Sequence, residues 1–125
     1  MAVDVRARFT DTMISTASQN RLVTMVYDRL LRDVRHALAA VEQGDTAEVH
    51  QSLVHAQELL SALDQGLDET QWPGVRDLHR LYDYVGRRMV AGNVTKSAAP
   101  LRECLAILEP LAAAWHEAYR RAASS

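Results

Sequence analysis

Five histidines, one cysteine and several closely spaced arginines and aspartates are the residues of this chain whose types could carry chemistry. Metal sites in helical proteins draw His, Glu or Asp from facing helices, often as Glu-x-x-His. That pattern does not occur in the sequence. His50 and His55 are five positions apart and so fall on different faces of a helix, while His36, His79 and His116 each stand among charged residues and read as solvated side chains. No metal and no other cofactor is expected.

The remaining polar groups have simpler readings. In "LHRLYDYVGRRM", Asp83 and Arg87 are four residues apart, the spacing of an intrahelical ion pair, and Asp28 and Arg32 repeat it. Arg29, Arg32 and Arg35 make a basic stripe, but Asp28 and Asp33 dilute it and no aromatic stacking platform accompanies it. Cys104 lies in "LRECLAIL" and reads as a small buried hydrophobe. A Gly-rich phosphate loop, a nucleophile elbow and a Cys and His pair are all missing from the sequence. The residues therefore point to a non-enzymatic protein that acts by binding.

Bulk properties narrow the partners. A net charge of −2 gives no global positive field to gather nucleic acid or anionic lipid. No apolar run approaches the roughly 18 residues that a membrane span requires, and "MAVDVRARF" has no apolar region of signal-peptide type. With one cysteine, the sequence fits a reducing compartment, so a cytoplasmic protein without nucleic-acid partners or membrane insertion is expected.

The elements that must position these residues are helical. Hydrophobic residues are 48% of the chain, Gly and Pro are few, and the length suits one domain over residues 1–125. From Leu22 the apolar positions Leu22, Val26, Leu30, Val34, Ala37 and Val41 advance by three or four, with Val23, Met25, Leu31 and Leu38 widening the stripe. Ser18 is the expected N-cap and Gly44 the expected stop. Asp45, with Glu48 three residues on, predicts an immediate second start, followed by a stripe of Val49, Leu53, Ala56, Leu60, Leu63 and Leu67.

"DQGLDETQWPG" reads as a loop. A third helix carries Val75, Leu78, Leu81, Tyr82, Val85 and Met89 and is expected to stop near "AGN", with Gly92 or Asn93 left-handed. The fourth begins near Ser97; Pro100 fits its first turn, but Pro110 predicts a kink or a break. The expected fold is all-α: an antiparallel up-down four-helix bundle over 18–122, preceded by an N-terminal arm over 1–17. Phe9, Met13 and Ile14 place three sizeable apolar side chains on that arm.

The run "TASQNRLVTMVYDRLLRDVRHAL" is similar to the flagellin-specific export chaperones of the FliS family, which open with an aromatic-containing leader, a Thr-Ala-Ser-Pro segment and a Met-Leu-Tyr-Asp run. Thr16, Ala17, Ser18, Leu22, Met25, Val26, Tyr27 and Asp28 carry the match. It continues through "EQGDTAEVHQSLVHAQELLSALDQGLD" and "LHRLYDYVGRRMVAGNVTKSAAPLRECLAILEPLAAAWHEA", nearly the whole chain. Departures are Gln19 for the usual Pro, Asn20 for a common acidic residue, Phe9 for a leader Tyr, and Gly86 and Gly92 where larger residues are usual.

The resemblance implies a cytoplasmic four-helix-bundle chaperone that binds the disordered C-terminal segment of flagellin, prevents premature polymerisation and aids export, with the export machinery or a regulatory protein as a further partner. Candidate contact residues are Phe9, Met13 and Ile14 on the arm, Tyr27, then Leu60, Leu63 and Leu67 on helix two and Leu81, Tyr84 and Met89 on helix three. Tyr84, off the line through Leu81, Val85 and Met89, is the preferred groove residue. The competing reading is a helical signalling or scaffold bundle, such as a histidine phosphotransfer module using His36 or His55.

Overall fold

The computed structural model describes residues 17–67 and 74–124 of the chain, with the side chains of 17–20 left out of the description. The arm residues Phe9, Met13 and Ile14 lie outside the described residues. Four helices make up the described part: α1 (Ala17–Gln43), α2 (Thr46–Gln65), α3 (Val75–Thr95) and α4 (Ala98–Ser124), with no strand among the described residues. α1 and α3 each pack against both α2 and α4, so the helices form a square with α1 and α3 at opposite corners. Neighbours are antiparallel: along α1 and α4 the cross-links run from Asp28 with His116, through Arg35 with Glu109, to Glu42 with Arg102. The bundle expected from the apolar spacing is the bundle formed.

The α1–α2 corner follows from two residues. Gly44 takes φ +73°, a left-handed conformation that a side chain would strain, and lets the chain reverse. Asp45 then accepts from the Glu48 amide at 3.1 Å, satisfying one of the free donors at the start of α2.

Other boundaries differ from the sequence reading. α1 begins at Ala17 rather than after Ser18. α2 ends at Gln65, so Leu67 lies beyond it. α3 runs past Gly92 and Asn93 to Thr95, and the left-handed residue is Lys96, φ 50°. Gly92 serves packing instead: a Cβ there would stand 2.6 Å from Leu101 Cδ2 of α4. α4 continues unbroken through Pro110, which is exposed on its outer face. Ala106, whose carbonyl loses its helical donor to the proline, is also an exposed residue.

The core is built from Leu30 and Val34 of α1, Leu53 of α2, Val85 and Met89 of α3, and Leu101 and Leu108 of α4, all fully buried. On α1 the expected stripe holds at Leu30, Val34 and Ala37 but not in the first turns. Thr24, Tyr27, Leu31 and Val34, advancing by three and four, point inward, whereas Leu22 and Met25 remain 63% and 57% exposed. The buried Thr24 hydroxyl donates to the Arg21 carbonyl at 2.7 Å. Cys104 is buried as expected, and burial pushes its thiol up to about 12.

The histidines are the main polar surprise. Instead of lying free in solvent, His36 pairs with Glu48 at 2.7 Å, His55 with Asp33, His79 with Asp64 and His116 with Asp28 at 2.7 Å, each across a helix interface. His50 meets the Asn93 amide at 3.0 Å. Asp28 is thereby turned toward α4 rather than toward Arg32, while the expected Asp83–Arg87 pair forms at 3.2 Å.

Candidate docking groove

Two grooves run between neighbouring helices. The larger, about 600 Å³ between α1 and α2, is lined by Arg29, Arg32, Asp33, His36, Glu48, Ser52 and His55 among others. Its floor is taken up by its own polar links: Asp33 holds both Arg29 and His55, and Glu48 holds both His36 and Ser52. Val54, 38% exposed, adds an apolar patch among these links, and an apolar segment seated there would also have to desolvate the paired groups around it. The same links bear on phosphoryl transfer. His36 Nε2 and His55 Nδ1 each face a carboxylate, which occupies one ring nitrogen of each imidazole.

The second groove, about 340 Å³, lies between α2 and α3. α2 contributes Gln57, Leu60, Ser61 and Asp64, spaced by three and four on one face. α3 contributes Tyr82, Gly86 and Val90, successive turns of one stripe, with Asp83 and Arg87 on the rim. Leu60 and Tyr82 form an apolar floor, and Val90 is 48% exposed at the side of it. The side-chain links between α2 and α3 stand toward the ends: His79 with Asp64 at one, and Asn93 with His50 at the other. The middle is left to Leu60, Gly86 and Val90.

The candidate contact residues distribute unevenly over this structure. Tyr27 and Met89 are 0% exposed, Leu60 5% and Leu63 9%, so these four are core residues rather than an open apolar surface. Each helix has two packed neighbours in the square, and a wider apolar face is consumed by folding than a single stripe would suggest. Leu81 and Leu67 are half-buried against the core. Tyr84 is exposed, but its hydroxyl donates to Glu103, which also takes Arg88 at 3.1 Å; it therefore faces α4 and not the α2–α3 groove. That hydrogen bond to a carboxylate raises the Tyr84 phenol above its ordinary value.

Of the seven candidates among the described residues, Leu60 alone lines the α2–α3 groove. Tyr82, Gly86 and Val90 were not among them. Val90 stands one turn beyond Gly86, off the stripe through Val85 and Met89, and an apolar residue beside a helix-interior glycine is the signal that would have found both.

No group of three or more His, Cys, Asp or Glu residues able to hold a metal occurs among the described residues. Among those residues no helix is long and apolar enough to cross a membrane.

Comparison with known proteins covers almost the entire chain. The sequence profile of the family described as Flagellar protein FliS matches residues 3–122. The flagellar secretion chaperone FliS of Salmonella typhimurium is 28% identical over 109 residues, spanning 86% of this chain and 81% of the relative. That of Bacillus subtilis is 27% identical over 105 residues, spanning 84% and 78%, and that of Escherichia coli 27% over 112 residues, spanning 86% and 80%. A four-helix square and a family match running from one end of the bundle to the other lead to one assignment: this chain belongs to the FliS family of flagellar secretion chaperones.

Proposed function

We propose that the protein is a cytoplasmic, non-enzymatic export chaperone that binds the C-terminal segment of flagellin, keeps it from polymerising prematurely and delivers it for flagellum assembly. The observation that carries the reading is the α2–α3 groove, whose apolar floor of Leu60 and Tyr82 and exposed Val90 suit the apolar face of a helix. A client segment that is disordered alone and helical when bound spreads over a long surface yet is released readily, because its ordering entropy offsets part of the contact energy. The export machinery or a regulatory protein is a further partner in this reading.

The N-terminal arm has a place in the same proposal. Phe9, Met13 and Ile14 cover part of the client surface when no client is bound and give way when it arrives. Removing residues 1–15 is then expected to leave the bundle folded and to change flagellin affinity; unchanged affinity removes the arm from the mechanism.

The deciding experiment is co-purification with the cognate flagellin, intact and lacking its C-terminal segment. The proposal expects a complex with the first and none with the second. A complex indifferent to the truncation, or none at all, rejects it.

A further inference from the structure

Two glycines interrupt the interior of α3, and each costs helix stability relative to alanine. One of them has a reason inside the fold. A Cβ on Gly92 would stand 2.6 Å from Leu101 Cδ2 and 3.0 Å from its Cγ, so the close passage of α3 and α4 requires its absence. Gly86 has no such reason. A Cβ there would meet only Leu60 Cδ2, at 3.5 Å, which is ordinary van der Waals contact. Nor does its backbone need glycine, since the positive-φ glycine of the described chain is Gly44.

Gly86 sits on the α2–α3 groove between Leu60 of one helix and Val90 one turn further along its own. Gln57 and Ser61 of α2 are uncharged, while Asp64 of α2 and Asp83 and Arg87 of α3 also line the groove. The links of His50 with Asn93 and of Asp64 with His79 bracket this section. From His50 to Asp64, α2 is about 21 Å long, so the space between suits a helix of roughly four turns.

We infer that Gly86 is a specificity-determining notch for the client: a bulky apolar side chain of the bound helix seats where the glycine has none, with the next apolar residue along that helix meeting Val90. The helix cost of Gly86 is returned only when a partner fills the notch, as a knob fills a hole between packed helices. Gln57 and Ser61 suit an apolar client residue at the notch, with the Asp83–Arg87 pair beside it left to polar residues at the edge of that stripe. This inference rests on the flagellin-binding reading and adds to it the position that reads client shape.

The test uses the full chain and a synthetic peptide of the cognate flagellin C-terminal segment. Gly86→Ala and Gly86→Leu are compared with the parent by thermal melting followed by circular dichroism and by calorimetric titration with the peptide. Gly86→Ala is expected to melt a few degrees higher, because the helix gains propensity without a clash. It should nevertheless bind more weakly than the parent, and Gly86→Leu should lose about tenfold or more in affinity, the scale of overpacking a fitted contact. If the parent binds and the folded variants bind equally or more tightly, the notch is disproved and the client reading stands. If the parent does not bind the peptide, both fail together.

Discussion

The hydroxyls of Tyr27 and Tyr82 share a hydrogen bond across the diagonal of the helix square, joining α1 to α3, two helices that otherwise meet their neighbours α2 and α4. Both tyrosines are buried, and Trp115 of α4 lies 6.3 Å from the Tyr27 ring, while the two tyrosine rings stand 6.5 Å apart. Around the edges of the square α3 is held by His79–Asp64, Asn93–His50 and Arg88–Glu103, each partly open to solvent and so individually weak. Like the buried 3.6 Å hydrogen bond from the Cys104 thiol of α4 to the Val85 carbonyl, the tyrosine pair is a link that solvent does not screen. It fixes the helix that lines the proposed client groove against the opposite corner of the bundle.

Removing one hydroxyl leaves the other buried without this partner. Tyr82→Phe is therefore expected to destabilise the protein by about 1–3 kcal/mol, and Tyr27→Phe by a similar amount. The double Phe variant should cost less than the two singles together, because no orphaned hydroxyl remains. Urea unfolding of all four proteins measures the coupling directly. Strict additivity would mean that the hydroxyls act independently.

The same burial makes the fold sensitive to alkali. The Tyr27 phenol is pushed from 10.0 up to about 12, chiefly by burial, with its hydrogen bond to Tyr82 pulling the other way; Tyr82 is raised as well. A raised phenol pKa means that the folded state favours the neutral form. Its contribution is intact below pH 10.0, the ordinary value, and is lost as pH climbs toward about 12. A shift of this size corresponds to about 2–3 kcal/mol. Cys104, raised from 9.0 to about 12, adds a loss that begins near pH 9.0. Unfolding free energy measured against pH should decline above these values. Cys104→Ala should delay the onset, and the Tyr27→Phe/Tyr82→Phe pair should flatten the slope above pH 10.0.

Local signals were legible and mutual arrangements were not. Gly44 and Asp45 announce the corner between α1 and α2 because turn and cap depend on neighbouring residues alone. Gly92 misleads because a glycine near a helix end can serve either the backbone or a neighbouring helix, and only the position of Leu101 decides between them. The phase of α1 turns on Tyr27 and Thr24, a polar-edged pair that hydropathy ranks below Leu22 and Met25. Tyr84 shows the same limit at the site: its exposure follows from spacing, but its attachment to Glu103 depends on where α4 lies. The groove itself arises from the spacing of α2 and α3, so its floor of Leu60 and Tyr82 could be named only once the helices were placed.

Gly92 gives a prediction opposite in sign to Gly86. Alanine should raise helix propensity by up to about 1 kcal/mol at either position. At Gly92 the added methyl is driven to 2.6 Å from a fully buried Leu101, and overpacking of this kind costs about 1–3 kcal/mol. Gly92→Ala is thus expected to lower the melting temperature. Adding Leu101→Val should recover part of the loss by opening room beside the new methyl. If Gly92→Ala instead melts above the parent, α3 and α4 do not require the close passage seen here.

Pro110 offers the converse case, a residue that weakens a helix without serving the core. It is exposed within α4, as is Ala106, whose carbonyl it leaves without a helical donor. Pro110→Ala restores that hydrogen bond and removes the ring's clash with the preceding turn. Proline's stiffening of the unfolded chain offsets part of the gain, so a net stabilisation of about 1–2 kcal/mol is expected, below the roughly 3 kcal/mol of the full propensity difference. Urea unfolding gives the sign, and slowed amide exchange at residue 110 and its neighbours would localise it. Destabilisation would assign Pro110 a different role: setting the line of α4 so that Glu109 reaches Arg35 and His116 reaches Asp28 on α1. In that case removing Glu109 and His116 should abolish the penalty of Pro110→Ala, which separates a shaped helix from a merely weakened one.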